Sequence, residues 1–404
     1  MNNDLLKKYA SLAVNTGVNI QKDNILVISS PIETAEFARL IAEEAYKAGA
    51  KDVIVHYGDQ KLTKIKLETI ADYPDWMAEG YNYYARQGAC FISIAASDPD
   101  GLKGIPVEKI GTSQKARTSA LKEYYDNSMS NKCRWCVLSV PTLSWAKKVF
   151  PNASDDEAMK SLWDVIFKTV RVDTENPVKA WEKHNAYLEE KIKFMNDNNF
   201  KSVHLKSANG TDLNIELPEG HIWAGGSEGD VNGIAFNANM PTEEVFTLPK
   251  KTGVNGVVYS SKPLSYGGNL IDNFSVTFKD GKVVDFTAET GYDVLKQMLD
   301  SDEGAKYLGE VAFVPYDSPI SNSKLIFFNT LFDENAACHL AFGRAYESCI
   351  KDADKYSEEE LEKIGVNNSV IHVDFMIGTK DLEITGVNKN GETIQIFTDG
   401  NWVN

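Results

Sequence analysis

Residues 24–57 have the sequence "NILVISSPIETAEFARLIAEEAYKAGAKDVIVHY", in which two kinds of pattern alternate. The segments "NILVISS" (24–30) and "DVIVHY" (52–57) are short apolar runs, typical of strands that are buried on both faces. Between them, "TAEFARLIAEEAYKAGA" (34–50) has the apolar spacing of an amphipathic helix, with a glycine near its end. The stretch therefore predicts a strand–helix–strand unit of a parallel sheet.

The same alternation continues through the first half of the chain. The runs "ACFISIAAS" (89–97) and "CRWCVLSVPT" (133–142) predict further strands, and "GTSQKARTSALKEYYDNSMS" (111–130) predicts a helix between them. A long helix is predicted for "PVKAWEKHNAYLEEKIKFMNDNNF" (177–200). Apolar strands separated by helices indicate a sheet covered on both faces. No phosphate loop or GxGxxG follows any of these strands, so we expect a Rossmann-like α/β domain without a nucleotide.

The second half has a different sequence pattern, in which runs of alternating apolar residues are joined by short turns. Asn209-Gly210, Asp280-Gly281 and Asn390-Gly391 each lie between two such runs, which is typical of a β-hairpin. The sequence therefore predicts two domains: a Rossmann-like parallel-sheet domain over 1–200, and an α+β domain rich in antiparallel strands over 201–404.

The composition limits the classes of partner. The 404 residues include 42 basic and 58 acidic side chains, which give a formal net charge of −16. This balance argues against a nucleic-acid partner and against an anionic membrane surface. The N-terminal "MNNDLLKKYA" has no apolar core of a signal peptide, and no apolar run reaches membrane-spanning length. A cytoplasmic protein is the expectation.

The five cysteines do not indicate a disulfide framework, because their number is odd and they are sparse in a long chain. Cys133 and Cys136 have CxxC spacing, but no second CxxC is present and the run continues as an apolar strand. Zinc binding or redox chemistry at this pair is therefore disfavoured, and a reducing compartment is expected.

The segment "VIHVDFMIG" (370–378) places two ionisable residues inside an apolar strand. Residues two apart in a strand share a face, so His372 and Asp374 are predicted to point together. Ionisable groups in such a strand need partners. The pair is either a hydrogen-bonded His–Asp couple that holds a loop, or part of a site for zinc, manganese, cobalt or magnesium.

The segment "LFDENAACHLAFGRAYESC" (331–349) is expected to form a helix. Seven steps of about 100° return to nearly the same face, so His339 and Tyr346 would point the same way. Glu334 would lie at the front of this helix. The two ring side chains form either a buried polar pair or part of a functional site.

Two further segments supply carboxylates. Adjacent Glu243 and Glu244 lie between prolines in "NMPTEEVFTLP" (239–249), and Glu310 opens an apolar run in "YLGEVAFVP" (307–315). Each is weak evidence alone, because glutamates in loops and at strand starts are common. Together the four segments supply an inventory of carboxylate, imidazole and phenol groups that fits two divalent cations sharing a bridging carboxylate.

These segments also carry a resemblance to a known family. The stretches "PTEEVFTLP", "LGEVAFVP", "LFDENAACHLAFGRAY" and "HVDFMIG", with "SDEGAKYLGE" and the closing "GNWVN", resemble the signature segments of the thermophilic aminopeptidases, the aminopeptidase T and aminopeptidase S type of dinuclear metallopeptidases. The resemblance implies a cytoplasmic homodimer with an enclosed cavity, two divalent metal ions (Zn, Co, Mn or Mg), and peptide substrates with a free N-terminus.

The resemblance also implies a role for individual residues. Glu310 matches the carboxylate that bridges both metals, and Glu243, beside a ligand, becomes the candidate for general base or for a position behind the ligands. Tyr346 is expected among both the ligands and the catalytic residues, and Glu334 is expected to reach the metals from the helix start. The complete set of implied metal ligands is Glu244, Glu310, Glu334, His339, Tyr346, His372 and Asp374.

The favoured interpretation is a metallo-aminopeptidase that releases N-terminal residues by means of a metal-activated water. One alternative is another dinuclear metallohydrolase such as a phosphoesterase, although Arg344 is the only cation in the site segments and would lie about 140° from His339 on the predicted helix. A second alternative is a non-enzymatic, metal-stabilised binding protein, although structural zinc sites are usually closed and rich in cysteine.

Overall fold

The computed structural model describes residues 3–70 and 72–403, which form two compact units. The first unit consists of the described residues up to Asn185, together with Gly226–Thr242 and Phe327–Leu331. The second consists of Ala186–Gly225, Glu243–Ile326 and the described residues from Phe332 onward. The division into two domains with a boundary at residue 200 remains a prediction.

The secondary structure is as follows. The α-helices are α1 (Asn3–Leu12), α2 (Ala35–Lys47), α3 (Gln60–Thr69), α4 (Asp75–Arg86), α5 (Val107–Ala120), α6 (Lys122–Met129), α7 (Leu143–Val149), α8 (Asp155–Thr169), α9 (Pro177–Asn198), α10 (Tyr292–Leu299), α11 (Pro319–Ser323), α12 (Thr330–Asp333) and α13 (Glu358–Ile364). The strands are β1 (Ile25–Pro31), β2 (Asp52–Gly58), β3 (Cys90–Ile94), β4 (Trp135–Leu138), β5 (Phe200–Lys206), β6 (Asp212–Glu216), β7 (Glu228–Gly229), β8 (Ala235–Phe236), β9 (Asn239–Met240), β10 (Val245–Thr247), β11 (Val254–Tyr259), β12 (Leu264–Tyr266), β13 (Asn269–Lys279), β14 (Lys282–Thr290), β15 (Leu308–Phe313), β16 (His339–Gly343), β17 (His372–Met376), β18 (Glu383–Asn388), β19 (Thr393–Thr398) and β20 (Asn401–Trp402). A π-helical turn covers Ala13–Gly17, and 3₁₀ turns cover Ile32–Thr34, Gly304–Lys306, Glu334–Ala336, Glu347–Cys349 and Ala353–Lys355.

The first unit is built on a parallel sheet with the strand order β2-β1-β3-β4-β9. The predicted parallel sheet is confirmed, and its centre is apolar because Val27, Ile92 and Leu138 are fully or almost fully buried. The segment 111–130 forms two helices, α5 and α6, where the sequence predicted one. The predicted long helix is confirmed as α9.

Cys133 and Cys136, the CxxC pair, are buried packing residues of the first unit. The Cys133 thiol donates to the Ala85 carbonyl at 3.4 Å and packs in an apolar cluster, whereas Cys136 lies against Gly17. Burial raises the pKa of Cys133 to about 11, so the thiol stays protonated at neutral pH. All five cysteines are free and buried.

The second unit contains a large sheet in which β12-β13-β11-β6-β5-β18-β19-β20 are neighbours and β14 pairs with β13. All three predicted hairpins are confirmed, as the β5–β6, β13–β14 and β18–β19 pairs. Gly281 illustrates why the turns need glycine. Its φ is +81°, and a Cβ at this position would lie 1.7 Å from the Lys251 carbonyl oxygen.

A second, four-stranded antiparallel sheet has the order β10-β15-β16-β17. The predicted helix over 331–349 is wrong here. Helical turns cover only the two ends of the segment, up to Ala336 and over Glu347–Cys349, and His339–Gly343 is strand β16. All five residues of β16 are buried between β15 and β17, so the run shows no strand-like alternation that could have identified it. Gly343 has a φ of +95°, which an α-helix does not allow.

None of the helices formed by residues 3–70 and 72–403 has the length and apolar character needed to cross a membrane.

His184 of the first unit is a buried histidine whose hydrogen bonds define its tautomer. Arg171 Nη2 lies 3.1 Å from His184 Nδ1, and His184 Nε2 lies 2.7 Å from the Thr242 carbonyl oxygen. Because a guanidinium only donates and a carbonyl only accepts, Nδ1 accepts and Nε2–H donates. Burial, with the nearby Arg171 cation, lowers the pKa of His184 to about 3.

This geometry predicts a loss of stability in mild acid. The pKa of His184 is lower in the folded state than the ordinary value of 6.5, so the unfolded state binds more protons as the pH falls from 6.5 towards 3. Between neutral pH and about pH 5, this difference amounts to about 2 kcal/mol of unfolding free energy. The variant His184→Gln retains an N–H donor for the Thr242 carbonyl. Between neutral pH and about pH 5, its free energy of unfolding should fall by about 2 kcal/mol less than that of the parent, as measured by urea denaturation.

The matched control is His204→Gln, which removes a histidine whose side chain is 40% exposed. It shows what the same exchange does at a histidine that pairs with Asp212 on the surface. An equal acid sensitivity in the parent and in His184→Gln would contradict the neutral, buried assignment.

Candidate metal centre

One face of the four-stranded sheet carries a row of ionisable side chains. Glu310 on β15 lies opposite Ala341 on β16, which lies opposite Asp374 on β17. His339 and His372 are each two residues from this row, so strand alternation places them on the same face. The predicted convergence of His372 and Asp374 is present in the structure. His339 joins them from a strand, where the sequence predicted a helix.

Two other positions on this face carry little or no side chain. Ala312 lies opposite His339, and Gly343 lies opposite His372. The functional groups of the neighbouring residues therefore meet above a floor of methyl groups and backbone. A Cβ at Gly343 would lie 2.1 Å from the Ile371 carbonyl oxygen, so that position accepts only glycine.

The two glutamates of the "TEE" segment are held differently. Glu244 directly precedes β10, and its carboxylate lies 3.1 Å from His339 Nε2. The backbone N–H of Glu243 donates to Asn335 Oδ1 at 2.7 Å. Burial raises the pKa of the Tyr187 phenol, and the nearby Glu243 carboxylate raises it further. Only Glu244 of the two belongs to a cluster of ligand atoms.

The cluster consists of two groups that share Glu310. Glu244, Glu310 and His339 offer ligand atoms that all lie within 4.8 Å of one another, and so do Glu310, His372 and Asp374. Glu310 Oε1 is 3.6 Å from His339 Nε2, whereas its Oε2 is 3.3 Å from His372 Nε2. His372 Nε2 is also 3.3 Å from Asp374 Oδ1. Each oxygen of one buried carboxylate therefore faces a different imidazole.

Main-chain carbonyls orient both imidazoles. His339 Nδ1 lies 3.1 Å from the Ala337 carbonyl oxygen, and His372 Nδ1 lies 2.7 Å from that of Arg344. Nδ1–H must be the donor in each case, because a carbonyl oxygen only accepts. Nε2 of each ring, which carries no proton in the neutral tautomer, therefore faces the carboxylates. Histidine ligands of metals are commonly oriented in this way, by a hydrogen bond from the other ring nitrogen.

The imidazoles and carboxylates strongly influence each other's protonation. Burial alone would lower the pKa of His339, but hydrogen bonds to Glu244 and Glu310 raise it well above its ordinary value. Burial would likewise raise the pKa of Glu310, but His339 and His372 hold it below its ordinary value. The ring nitrogens therefore occupy positions where a cation, either a proton or a metal ion, is strongly favoured.

Glu334 and Tyr346 lie near the cluster but outside its two groups. Burial raises the pKa of Glu334 well above its ordinary value, and the carboxylates of Asp374 and Glu244 raise it further. Burial does the same to the Tyr346 phenol, again with help from nearby carboxylates. The Tyr346 ring centroid is 4.7 Å from that of His372. Their roles as ligands remain predictions.

The chemistry of this donor set fits divalent metal ions. Several carboxylates crowded together in a buried position repel each other unless cations compensate their charge. Carboxylate oxygen and imidazole nitrogen are common ligands of zinc, manganese and cobalt, and carboxylate oxygen also suits magnesium. The converging groups are Glu244, Glu310, His339, His372 and Asp374.

Sequence reasoning missed the supports of this site. Asn335 is completely buried, and its side chain joins the Glu243 backbone to Glu334, with Nδ2 3.4 Å from Glu334 Oε1. Its position directly after Glu334 was the one available signal. The carbonyls of Ala337 and Arg344 could not have been found, because any residue supplies a carbonyl and only the fold selects these two.

Comparisons with known proteins identify the family of this chain. Residues 2–402 match the family model described as "Thermophilic metalloprotease (M29)". The chain is 49% identical to aminopeptidase AmpS of Bacillus subtilis, over 98% of each chain. It is 48% identical to aminopeptidase 2 of Geobacillus stearothermophilus, over 98% of this chain and 97% of that one.

A solved structure also matches along the whole length. Wild-type AmpT from Thermus thermophilus superposes with a TM-score of 0.92 at 40% identity, and the match covers 99% of each chain. The similarity therefore extends over both compact units and includes every segment that contributes to the cluster. This chain belongs to the M29 family of thermophilic metalloproteases.

Proposed function

We propose that this chain is a metal-dependent aminopeptidase that releases N-terminal amino acids from peptides. The relatives at 49% and 48% identity are named aminopeptidases, and the match to the metalloprotease family model covers nearly the whole chain. The observation that carries the proposal is the position of Glu310. A buried carboxylate with one oxygen towards each of two imidazoles is suited to bridge two cations.

The proposed centre holds two divalent ions, drawn from Zn, Co, Mn and Mg. Glu244 and His339 would bind one ion, His372 and Asp374 would bind the other, and Glu310 would contact both. Such ions supply Lewis acidity towards a peptide carbonyl and lower the pKa of water. Metal availability contributes to the choice of ion as much as ligand type does.

Two acids compete for the role of general base. Glu243 is the base expected from its place beside Glu244. Glu334 is a second candidate, because its carboxyl lies beside Asp374 and Glu244 and its pKa is raised well above the ordinary value. A raised pKa suits an acid that takes a proton near neutral pH and returns it to the leaving amine. The acid that is not the base is available to pair with the substrate's α-ammonium group.

Tyr346 is proposed to act as a hydrogen-bond donor. Burial and the neighbouring carboxylates raise the pKa of its phenol, so the O–H keeps its proton throughout the neutral range. A protonated phenol beside His372 can donate to the oxygen on which negative charge develops when the peptide carbonyl is attacked. A role as a metal ligand would instead require loss of that proton.

The wider setting is also a proposal. The acidic net charge of −16 supports a protein without nucleic-acid or membrane partners. A cytoplasmic homodimer whose second domain carries the metal centre is proposed from the family resemblance. An enclosed cavity in such a dimer would restrict substrates to peptides and exclude folded proteins.

The first prediction from the proposed function is that activity depends on metal. Dialysis against a chelator should abolish the hydrolysis of leucyl-p-nitroanilide, and Co²⁺, Zn²⁺ or Mn²⁺ should restore it, because the cluster has no other electrophile of comparable strength. Hydrolysis of p-nitrophenyl phosphate is measured in parallel. Full peptidase activity in demonstrably metal-free protein, or activity on the phosphate ester alone, would overturn the proposal.

The second prediction concerns the free N-terminus. Acetylation removes the charge of the α-ammonium group and with it a charge-assisted contact. An N-acetylated peptide should therefore be cleaved far more slowly than its unblocked twin, as measured by chromatography of the products. Comparable rates for the two peptides would mean that the enzyme is not an exopeptidase of this kind.

The third prediction separates the four glutamates. Glu310→Gln and Glu244→Gln should lower metal content as well as activity, because each removes a charge that holds a cation. The variant that removes the base, Glu243→Gln or Glu334→Gln, should keep the parent's metal content and lose about 10²–10⁴-fold in kcat. Metal stoichiometry by mass spectrometry, beside steady-state kinetics, distinguishes these outcomes.

The same experiment can contradict the assignment. If Glu243→Gln loses metal while Glu244→Gln keeps it, the roles within the "TEE" segment are reversed. If Glu334→Gln loses one metal, Glu334 is a ligand, as the resemblance implies. Near-normal kcat with full metal content in both Glu243→Gln and Glu334→Gln would exclude both residues as the base.

A further inference from the structure

Gly309 lies against the carbonyl group that orients one of the two imidazoles. A Cβ at this position would lie 2.3 Å from the Arg344 carbonyl oxygen and 2.5 Å from the Gly343 carbonyl oxygen. The Arg344 oxygen is the acceptor for His372 Nδ1, at 2.7 Å. Both approaches are to backbone, which cannot turn aside as the end of a flexible side chain can. Any side chain at position 309 would therefore displace the acceptor of His372.

Gly309 is also the extra residue of a β-bulge. Leu308 of β15 lies opposite Phe342 of β16. Two residues further along β15, Glu310 lies opposite Ala341, which is only one residue away on β16. Bulges redirect side chains next to functional sites, and glycine in a strand often marks the close approach of another backbone. The bulge therefore sets the position of the carboxylate that follows it as well as the fit against the neighbouring carbonyl.

Asn367 holds the segment around Arg344 by hydrogen bonds. Its Nδ2 donates to the Gly343 carbonyl oxygen at 2.6 Å and to the Gly304 carbonyl oxygen at 2.8 Å. Its backbone oxygen accepts from the Ala345 N–H at 2.9 Å. Asn367 is 1% exposed, so water does not compete for these bonds. Arg344 therefore lies between two residues that Asn367 fixes.

A second glycine has the corresponding position beside the other imidazole. Gly378 follows β17, and its N–H donates to the Cys338 carbonyl oxygen at 2.9 Å. A Cβ at this position would lie 2.6 Å from the Cys338 backbone nitrogen and 3.0 Å from Ala337 Cβ. The peptide group between these two residues contains the Ala337 oxygen, which accepts from His339 Nδ1 at 3.1 Å. A side chain at position 378 would therefore displace the acceptor of His339.

We propose that Gly309 and Gly378 are positioning residues, each of which sets the orientation of one imidazole and thereby the affinity for one of the two metal ions. Asn367 supports Gly309 in this role. The inference rests on the two-ion centre of the proposed function and adds residues that contact neither ion. Groups behind the ligands of a metal determine how the ligands are aimed, and their loss commonly weakens metal binding.

The experiment measures the dissociation constants of the two ions. The full-length protein, loaded with Zn²⁺, is titrated with a chromophoric chelator that removes the ions, and the metal content is followed by absorbance. Glu244→Gln identifies the constant of the ion held with His339, and Asp374→Asn identifies that of the ion held with His372, because each variant removes the charge of one ligand. Neither constant depends on turnover of a substrate.

Each glycine is changed to alanine, the smallest side chain. Gly378→Ala should raise the constant that Glu244→Gln identifies by about 10–100-fold, the usual range for groups behind metal ligands, and the other constant much less. Gly309→Ala should raise the constant that Asp374→Asn identifies by a similar factor.

Asn367→Ala repeats the test for His372 without adding bulk. It releases the Arg344 segment and does not neighbour Glu310 in the chain, so it should raise mainly the constant that Asp374→Asn identifies, by about tenfold or more.

The matched control is Gly386→Ala in β18 of the large sheet. A Cβ there would lie 2.4 Å from the Phe200 ring, which is as crowded as the two test positions. This variant should lower the melting temperature and leave both dissociation constants at the parent's values.

Three outcomes would overturn the inference. Unchanged constants in Gly309→Ala and Asn367→Ala, or a larger rise in the constant of the opposite ion, would remove the link between each glycine and its imidazole while the two-ion centre stands. An equal rise of both constants in Gly386→Ala would mean that general loss of packing is the cause. A parent that binds fewer than two ions would instead overturn the two-ion centre, and this inference with it.

Discussion

A single buried carboxylate organises the metal centre. Glu310 lies in the middle of a fully buried strand, and its two oxygens face two different imidazoles. A charge in this position is tolerated only if its surroundings compensate it. Three other features of the centre follow from this constraint: histidines on β16 and β17, the short side chain of Ala341 between Glu310 and Asp374, and carbonyl acceptors behind the rings. The antiparallel sheet fulfils them because its register brings residues that are distant in sequence into one row.

Much of this arrangement was accessible from sequence where the local pattern and the tertiary role agree. The parallel strands of the first unit, the long helix α9 and the three hairpins have periodicities or turn residues that specify them. His372 and Asp374 were placed on one face by strand alternation alone. Their convergence with His339, Glu244 and Glu310 was suggested by the joint inventory of polar groups, and only the family resemblance gave each residue a role. Pairing between distant strands leaves no local trace in a sequence.

The error at β16 has a physical cause. A strand covered on both faces loses its alternation, and the run from Ala336 to Gly343 is then equally compatible with a helical period. The packing of β15 and β17 on either side decides between the two, which is tertiary context overriding local preference. Glu334 and Tyr346 flank this strand, so the wrong helix also gave them wrong approach directions. The identity of the residues was informative where their geometry was not.

The carbonyl groups behind the two imidazoles have a consequence for how the centre varies. Both acceptors, at Ala337 and Arg344, belong to the main chain, so no side-chain replacement at either position deletes them. If aspartate or asparagine side chains oriented the imidazoles, a single substitution could remove the acceptor. Here the ring orientation is a property of backbone geometry, and it persists for as long as the strand keeps its course. Side chains around the ligands can therefore be replaced by others that fit the available space. The two imidazoles keep their orientation through such replacements.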